Sequence, residues 1–356
     1  MSSYTIALIP GDGIGLELVP GVADLAEHAA ARHGVTLNWL RLDWGSSRYL
    51  ETGQFMPTDW QQTLAETDAI LLGAVGDPRI ADHVSLWGLL LPIRRELRQS
   101  VNVRPIVSFP GVVGPLRSQR PFDILVIREN NEGEYTNVGG SLYPGTADEV
   151  VVQASIFTRH GTERLVRFGF EQAQRRAGRL MSATKSNGLP FSMPFWDTVV
   201  REVAAGYPDV SVREMHIDAL AARLVLAPEE FDVIVSSNLF GDILSDLGAS
   251  LVGSIGVVAS ANVNPVGDRP SMFEPVHGSA PDIAGQGIAN PTAQVLSACM
   301  MLTHLGEAAA AEHLRAALLR ALADPAGRTA DIGGRATTLE ALERIEKELD
   351  QGAPTL

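Results

Sequence analysis

Short apolar runs alternate with longer amphipathic stretches along most of this chain, and that rhythm constrains the fold before any single residue is considered. Residues 5–10 (TIALIP) lead into a helical stretch from about 16 to 33, residues 36–42 follow, a second helical stretch lies near 59–66, and residues 68–73 (DAILLG) make the next apolar run. Apolar runs this short, bounded by turns, read as strands buried on both faces, and the helices between them must cover both sides of a mostly parallel sheet. Residues 123–128, 179–184 and 231–236 repeat the theme in mid-chain, so an α/β architecture is expected. After Asn290 the pattern is helical to the end, with a break around 325–334.

One stretch interrupts the rhythm. Between Tyr135 and Arg159 two β-rich pieces are separated by Gly139, Gly140, Pro144 and Gly145, with no room for a crossover helix. This reads as a projecting β arm over about 135–159. Its apolar positions Val150, Val152 and Ile156 have little of their own chain to cover them, which favours pairing with a second copy.

The chain's 356 residues suffice for two domain-sized units. The balance of 28 Lys+Arg against 42 Asp+Glu, a formal charge of -14, repels the phosphates of nucleic acid and an anionic membrane surface, so neither partner is expected. A single cysteine, Cys299, sits in the apolar run VLSACMML and reads as a buried helical thiol in a reducing compartment. The N-terminus lacks a signal-peptide pattern and no apolar run approaches about 18 residues, which reads as cytoplasmic.

The loop Gly11-Asp12-Gly13-Ile14-Gly15, between a strand and a helix, invites a dinucleotide-binding reading. A Rossmann fingerprint needs glycine at its sixth position, where Leu16 stands and would obstruct close strand–helix packing. The expectation is therefore a tight turn near a ligand, but not a Rossmann site.

Residues 231–248 (FDVIVSSNLFGDILSDLG) carry the strongest chemical signal: a buried strand, a turn at Gly241, and a helix opening with Asp242 and Asp246. Carboxylates four apart share a helical face, here at the carboxyl end of a strand, where open α/β sheets bind ligands. Helix capping accounts for one Asp; two hard oxygen donors suit Mg2+ or Mn2+. Asp218 ends another strand-like run and alone reads as a cap. Arg94, Arg104 and Arg128 are placed as a possible clamp, since planar guanidinium forks hold carboxylates bidentately, and Tyr135 lies close to Arg128 in sequence. Lys185, in TKSN, follows a strand and becomes a plausible base if crowded by a cation and arginines; a solvated lysine is the alternative. His277 and Asp282 lie in a Gly/Pro-rich segment, residues 273–291, shaped either for a ligand or simply as a rigid loop.

Taken together, IPGDGIG (9–15), RENNEGEY (128–135), TKSN (184–187), NLFGDILSD (238–246) and HGSAPD (277–282) resemble, in order and over essentially the whole length, the β-decarboxylating dehydrogenases acting on isopropylmalate, isocitrate, homoisocitrate and tartrate/D-malate. The resemblance implies an isopropylmalate dehydrogenase-like two-domain fold with a large mixed sheet flanked by helices. Residues 1–98 and 254–356 would form the cofactor-binding domain, and 99–253 the substrate and dimerisation domain. It implies a homodimer with shared active sites: Arg94, Arg104, Arg128 and Leu90 on the dicarboxylate, Asp242, Asp246 and Asp218 of the partner subunit on the cation, and Lys185 and Asn187 of the partner subunit completing the site. Tyr135 would protonate C3. Glu274, His277, Gly278, Ser279, Ala280, Asp282 and Asn290 would bind NAD, Asp282 standing where NADP-using members carry lysine; K+ is a candidate activator. Asn131, where Thr is usual, and Pro92 depart from the pattern beside the arginines.

The segment DHVSLWG (82–88) lacks the Pro-Glu stretch usual in isopropylmalate dehydrogenases and the serine of the isocitrate enzymes, and resembles the tartrate/D-malate branch. Leu89, Leu90 and Leu91 leave an apolar pocket that Trp87 could fill, although they read equally as helix core. The expected order is D-malate, then L-tartrate, with 3-isopropylmalate the main alternative. A non-catalytic NAD-binding paralogue is the competing class.

Overall fold

The computed structural model describes residues 2–116, 118 and 120–351. The strands among them are β1 (Ser2–Gly11), β2 (Val35–Arg41), β3 (Ala69–Ala74), β4 (Val101–Val107), β5 (Asp123–Glu129), β6 (Gly139–Leu142), β7 (Val150–Gln153), β8 (Arg179–Thr184), β9 (Ser211–His216), β10 (Val233–Ser236), β11 (Ala259–Val263) and β12 (Ser271–Pro275). Two compact units emerge, one of residues 1–99, 104–121 and 249–356, the other of 100–103 and 122–248. Residues 104–121 thus belong to the first unit, where the sequence reading had assigned them to the second. Arg328 explains this: its Nη1 donates to the Gly111 carbonyl at 2.6 Å, and Gly114 abuts the Leu251 carbonyl.

In the first unit the strand order is β2-β1-β3-β12-β11, parallel except for the antiparallel β11–β12 pair, so the sheet is mixed. Ile6 to Ile9 and Ala69 to Leu72 are wholly buried, as unbroken apolar strands must be. A core of Trp44, Phe55, Trp60, Leu64, Leu89 and Ile93 packs around Ile9, Ile70 and Leu72. Helix Gly15–Ala31 approaches the sheet so closely that a Cβ on Gly73 would lie 2.7 Å from Val19 Cγ2, and one on Gly15 would lie 2.2 Å from the Pro10 carbonyl oxygen. The close packing is therefore made by Gly15, while Leu16 is 57% exposed. The fold is not a Rossmann fold, but the obstruction assigned to Leu16 does not occur. Beyond Asn290 helices Thr292–His304, Ala308–Ala323 and Thr338–Gln351 follow, with an unforeseen break at Gly306.

The second unit has the order β5-β10-β8-β9, all parallel. Helix Arg159–Gln174 starts at Thr158, whose side chain accepts from Gly161 N at 3.0 Å, and lies tight on the sheet because a Cβ at Gly169 would meet Val235 Cγ1 at 2.2 Å. The expected arm is present: β6 and β7 pair antiparallel from Gly139↔Gln153 to Leu142↔Val150, around a turn with Tyr143 and Gly145 at positive φ. Leu142, Val150, Val151 and Val152 are all exposed on it. No helix among the described residues is long and apolar enough to cross a membrane.

Candidate active site

Parallel strands end along one edge of their sheet, so residues just past them are brought together whatever their separation in sequence. In the second unit this edge collects most of the chemistry. Arg128 is the penultimate residue of β5, Lys185 follows β8, Asp218 stands in the first turn of helix Ile217–Leu226 after β9, and helix Asn238–Val252 follows β10. Register seats Ser236 beside Arg128 and Thr184 beside His216. The turn expected at Gly241 is absent: the helix already begins at Asn238, with Gly241 N bonded to the Ser237 carbonyl.

Arg128 is 3% exposed, and a cation so buried requires partners. Asn238 Oδ1 accepts from its Nε at 3.1 Å and its Nη2 at 2.7 Å, while Nη1 forms an ion pair with Asp242. Tyr135 donates its hydroxyl to the other Asp242 oxygen at 2.8 Å, with the Arg128 guanidinium 5.5 Å from the phenol ring centre. Asp246 follows one helical turn later and is exposed.

Three glutamates that sequence reasoning passed over build this corner. Glu134 accepts from Ser237 Oγ (2.8 Å) and Leu239 N (3.0 Å), capping the helix that carries Asp242. Glu132 accepts from Thr158 N and Oγ1, tying the start of helix Arg159–Gln174. Glu129 Oε1 accepts from Asn131 N (2.9 Å) and Glu132 N (3.0 Å); burial pushes its carboxyl up to about 7, those bonds offsetting only part. The Glu-rich run RENNEGEY suggests caps but not which helices they serve, since Glu134 and Glu132 lie far in sequence from the Leu239 and Thr158 amides they accept from.

Lys185 and Asp218 meet each other: Nζ donates to Oδ1 at 2.7 Å, and that bond holds the Asp218 carboxyl below the usual range. Asn187 is exposed in the turn closed by Gly188 N on the Lys185 carbonyl. Among the described residues no three His, Cys, Asp or Glu side chains are grouped to hold a metal ion, so within one chain Asp218 does not join Asp242 and Asp246.

In the first unit, Arg94 (8% exposed) donates Nη2 to Glu274 at 2.6 Å, while its buried Nε has no partner; Asn262 Nδ2 also binds Glu274, at 2.7 Å. The resemblance gave these two residues to different ligands, but here they bind one another. Arg104 lies buried in the middle of β4. Leu86–Leu90 forms a π-helical turn between helices Asp82–Ser85 and Leu91–Glu96. Leu89 and Leu91 are core, Leu90 remains half-buried, and Trp87 lies under Arg95, 4.6 Å from the guanidinium carbon.

The loop after β12 is braced by the glycine turn at residues 11–15. Ile14 N donates to the Ser279 carbonyl at 2.9 Å, and a Cβ on Gly13 would sit 2.0 Å from that same oxygen, so only glycine fits there. Glu17 accepts from Gly285 N and, at 3.1 Å, from Gly287 N. Asp12 is buried and accepts from Ser46 N, Ser46 Oγ and Gly76 N. His277 donates Nδ1–H to the Gly278 carbonyl at 3.0 Å, which leaves a buried Nε2 acceptor with no partner; burial lowers its pKa and keeps the ring neutral. Gly278 and Asp282 are exposed, Ser279 is buried, Ala280 has φ 42°, and Asn290 Nδ2 donates to Asp331 at 3.0 Å. Cys299 is buried, its thiol pushed up to about 12, and takes no part.

Comparison with known proteins ties these features together. The chain is 50% identical over 350 residues to a "Probable tartrate dehydrogenase/decarboxylase" of Bacillus subtilis, covering 97% of this chain and 98% of that one. It is 49% identical to the "D-malate dehydrogenase [decarboxylating]" of Escherichia coli (98% and 99% covered) and 46% identical to a "3-isopropylmalate dehydrogenase" of Thermobifida fusca (99% and 100%). The isocitrate dehydrogenase of Methylococcus capsulatus superposes with a TM-score of 0.86 at 32% identity, covering 97% of this chain and 99% of that one. The family model described as "Isocitrate/isopropylmalate dehydrogenase" matches residues 5–347. Near full-length likeness of both sequence and fold leaves one assignment: the chain belongs to the isocitrate/isopropylmalate dehydrogenase family and is a β-decarboxylating dehydrogenase.

Proposed function

We propose that the chain is an NAD-dependent enzyme, assisted by Mg2+ or Mn2+, that oxidises D-malate and releases CO2 to give pyruvate, with L-tartrate a further substrate, and that it works as a homodimer. The observation that carries this reading is Asp242, where Arg128 and Tyr135 converge at the carboxyl end of β10. A carboxylate for a cation, a guanidinium for a substrate carboxylate and a phenol for proton transfer are the groups that oxidative decarboxylation needs in one place.

The donor set fits a hard cation: Asp242 and Asp246, one helical turn apart, supply carboxylate oxygens, and Asp218 of the partner subunit would supply a third. When bound, the ion lends Lewis acidity that acidifies the C2 hydroxyl and stabilises the charge that develops as CO2 leaves. Arg94, Arg104 and Arg128 bind the substrate carboxylates. Lys185 of the partner subunit would take the hydroxyl proton and Tyr135 would deliver a proton to C3; NAD, when bound, would supply the hydride acceptor. For NAD, the orphaned His277 Nε2 offers an acceptor to a hydroxyl or amino donor, and the carboxylate of Asp282 suits ribose hydroxyls and repels a 2'-phosphate.

Dimerisation is supported by two features. Lys185 and Asp218 form one group and Arg128, Tyr135 and Asp242 another, neither complete alone. The unit that bears them also exposes Phe191 (89%), Leu226 (73%), Ile243 and the arm valines, an apolar surface suited to a second copy.

D-malate is preferred on the resemblance of residues 82–88 to the tartrate/D-malate branch, a reading that the 49% identity to the Escherichia coli "D-malate dehydrogenase [decarboxylating]" supports. A 3-isopropylmalate activity is the second reading, favoured by the Thermobifida fusca relative. Initial rates with D-malate, L-tartrate, 3-isopropylmalate and isocitrate, each with Mn2+ and K+ and with NAD or NADP, decide between them. D-malate with NAD should have the highest kcat/KM, and chelation should abolish turnover. A better rate on 3-isopropylmalate, equal use of NADP, or full activity after chelation each defeats the corresponding part.

A further inference from the structure

We infer that the first turn of helix Asn238–Val252 is a cradle for the Arg128 guanidinium, in which Asn238 and Gly241 are positioning residues that set the affinity for the substrate carboxylate. This rests on the reading of Arg128 as a substrate-binding arginine.

Three positions on one helical face do three different jobs. Asn238 Oδ1 takes both Nε and Nη2 of Arg128, at 3.1 and 2.7 Å, and so fixes the plane of the guanidinium. Gly241, three residues on, leaves space for the arginine stem: a Cβ there would lie 2.6 Å from Arg128 Cβ and Cγ. Asp242, four residues on, meets Nη1. Spacings of three and four put these residues above one another on a helix, so the cradle is written in the pattern NxxGD.

Asn238 is not spent on capping its own helix. Glu134 already accepts from Leu239 N and Ser237 Oγ, and Asn238 Nδ2 instead donates to the Glu132 carbonyl at 3.1 Å. That last bond settles which end of the amide faces Arg128, because only the oxygen can then accept from it. The choice of amide over carboxylate also has a consequence. Arg128 and Asn238 are 3% and 2% exposed, and a neutral acceptor orients the guanidinium without adding a second negative charge to the one Asp242 already brings to it.

The test compares wild type, Asn238→Ala, Gly241→Ala, Arg128→Lys and the Asn238→Ala/Arg128→Lys double variant. KM for D-malate and for NAD, D-malate affinity by calorimetry with Mn2+ present, Mn2+ affinity by electron paramagnetic resonance, and Tm are measured on each. Loss of two hydrogen bonds to a charged group predicts that Asn238→Ala weakens D-malate binding about tenfold or more. NAD KM should stay within about twofold, while Mn2+ Kd should shift much less than D-malate affinity, because Asp242, which Arg128 also holds, is reached only through the arginine. Gly241→Ala should weaken D-malate binding in the same direction, although alanine is the better helix former. In the Arg128→Lys background, Asn238→Ala should add less than about threefold, because the group it positions is gone.

Equal effects of Asn238→Ala in both backgrounds, or parallel losses in D-malate, NAD and Mn2+ affinity, would overturn the cradle and leave a merely structural asparagine. If wild type binds D-malate without turning it over, the proposed reaction fails while the calorimetric cycle still judges the cradle. If wild type does not bind D-malate, both readings fall.

Discussion

Replacing Tyr135 with phenylalanine separates structural from chemical cost more cleanly than any other single change. The substitution deletes one 2.8 Å hydrogen bond from the phenol to Asp242 and leaves the ring and its contact with Arg128 in place. Hydrogen bonds to charged groups contribute about 1.5–3 kcal/mol when buried. Asp242 is 29% exposed and keeps its Arg128 partner, so about 1 kcal/mol is the expected loss. For a chain of 356 residues that is a fall in Tm of about 1–2 °C. Loss of a positioned general acid, by contrast, slows its step by about a hundredfold to ten-thousandfold, or about 3–5 kcal/mol of barrier. Stopped-flow absorbance with D-malate reads both oxidation and the later step. The first turnover should produce a burst approaching one NADH per site, because hydride transfer precedes protonation at C3. The steady state should then be about a hundredfold slower than in wild type, with NAD KM unchanged. A steady-state rate within about threefold of wild type would refute the assignment of Tyr135 as the acid. So would loss of the burst in step with kcat.

Two further outcomes follow from the arrangement of the second unit. Tyr135→Phe and Lys185→Ala homodimers should each be nearly inactive, yet mixing them with subunit exchange should restore activity at hybrid sites holding both wild-type residues; an absence of recovery after verified exchange argues against shared sites. Glu129 bears on stability: with its carboxyl raised from 4.5 to about 7, the folded protein holds that proton more tightly than the unfolded chain does. Stability therefore falls as pH rises through that interval, by a total on the order of 3 kcal/mol. Glu129→Gln keeps an oxygen able to accept both backbone bonds now made by Oε1. It should flatten the dependence of Tm on pH between about 5 and 8, and an unchanged slope would show that Glu129 is not its source.

How much of this was legible in the sequence depends on the kind of signal. The buried strands could be read because four to six consecutive apolar residues have little alternative, and the arm because its glycines and proline leave no helix room to form. Asp242 and Asp246 could be placed on one face from spacing alone. The start of their helix could not, because Asn238-Leu-Phe-Gly241 looks like a turn until Glu134, distant in sequence, caps it. Leu16 was misjudged for a related reason: which side of a helix faces the sheet is set by packing, and Gly15 took the inward position. Residues 104–121 were misassigned because what binds them, Arg328, lies over two hundred positions away. The Arg94–Glu274 pair was equally out of reach, being a contact between residues 180 apart.

The lone thiol, so deeply set in helix Thr292–His304, gives the experimentalist an unplanned convenience. A reagent selective for thiolates will pass over Cys299 at neutral pH, so one cysteine introduced at the exposed Glu51, in the first unit and away from the arm, becomes the sole point for a fluorophore. Attached to half of a population and matched with an acceptor dye on the rest, such a reporter would follow the meeting of two copies in real time, with the native residue left untouched.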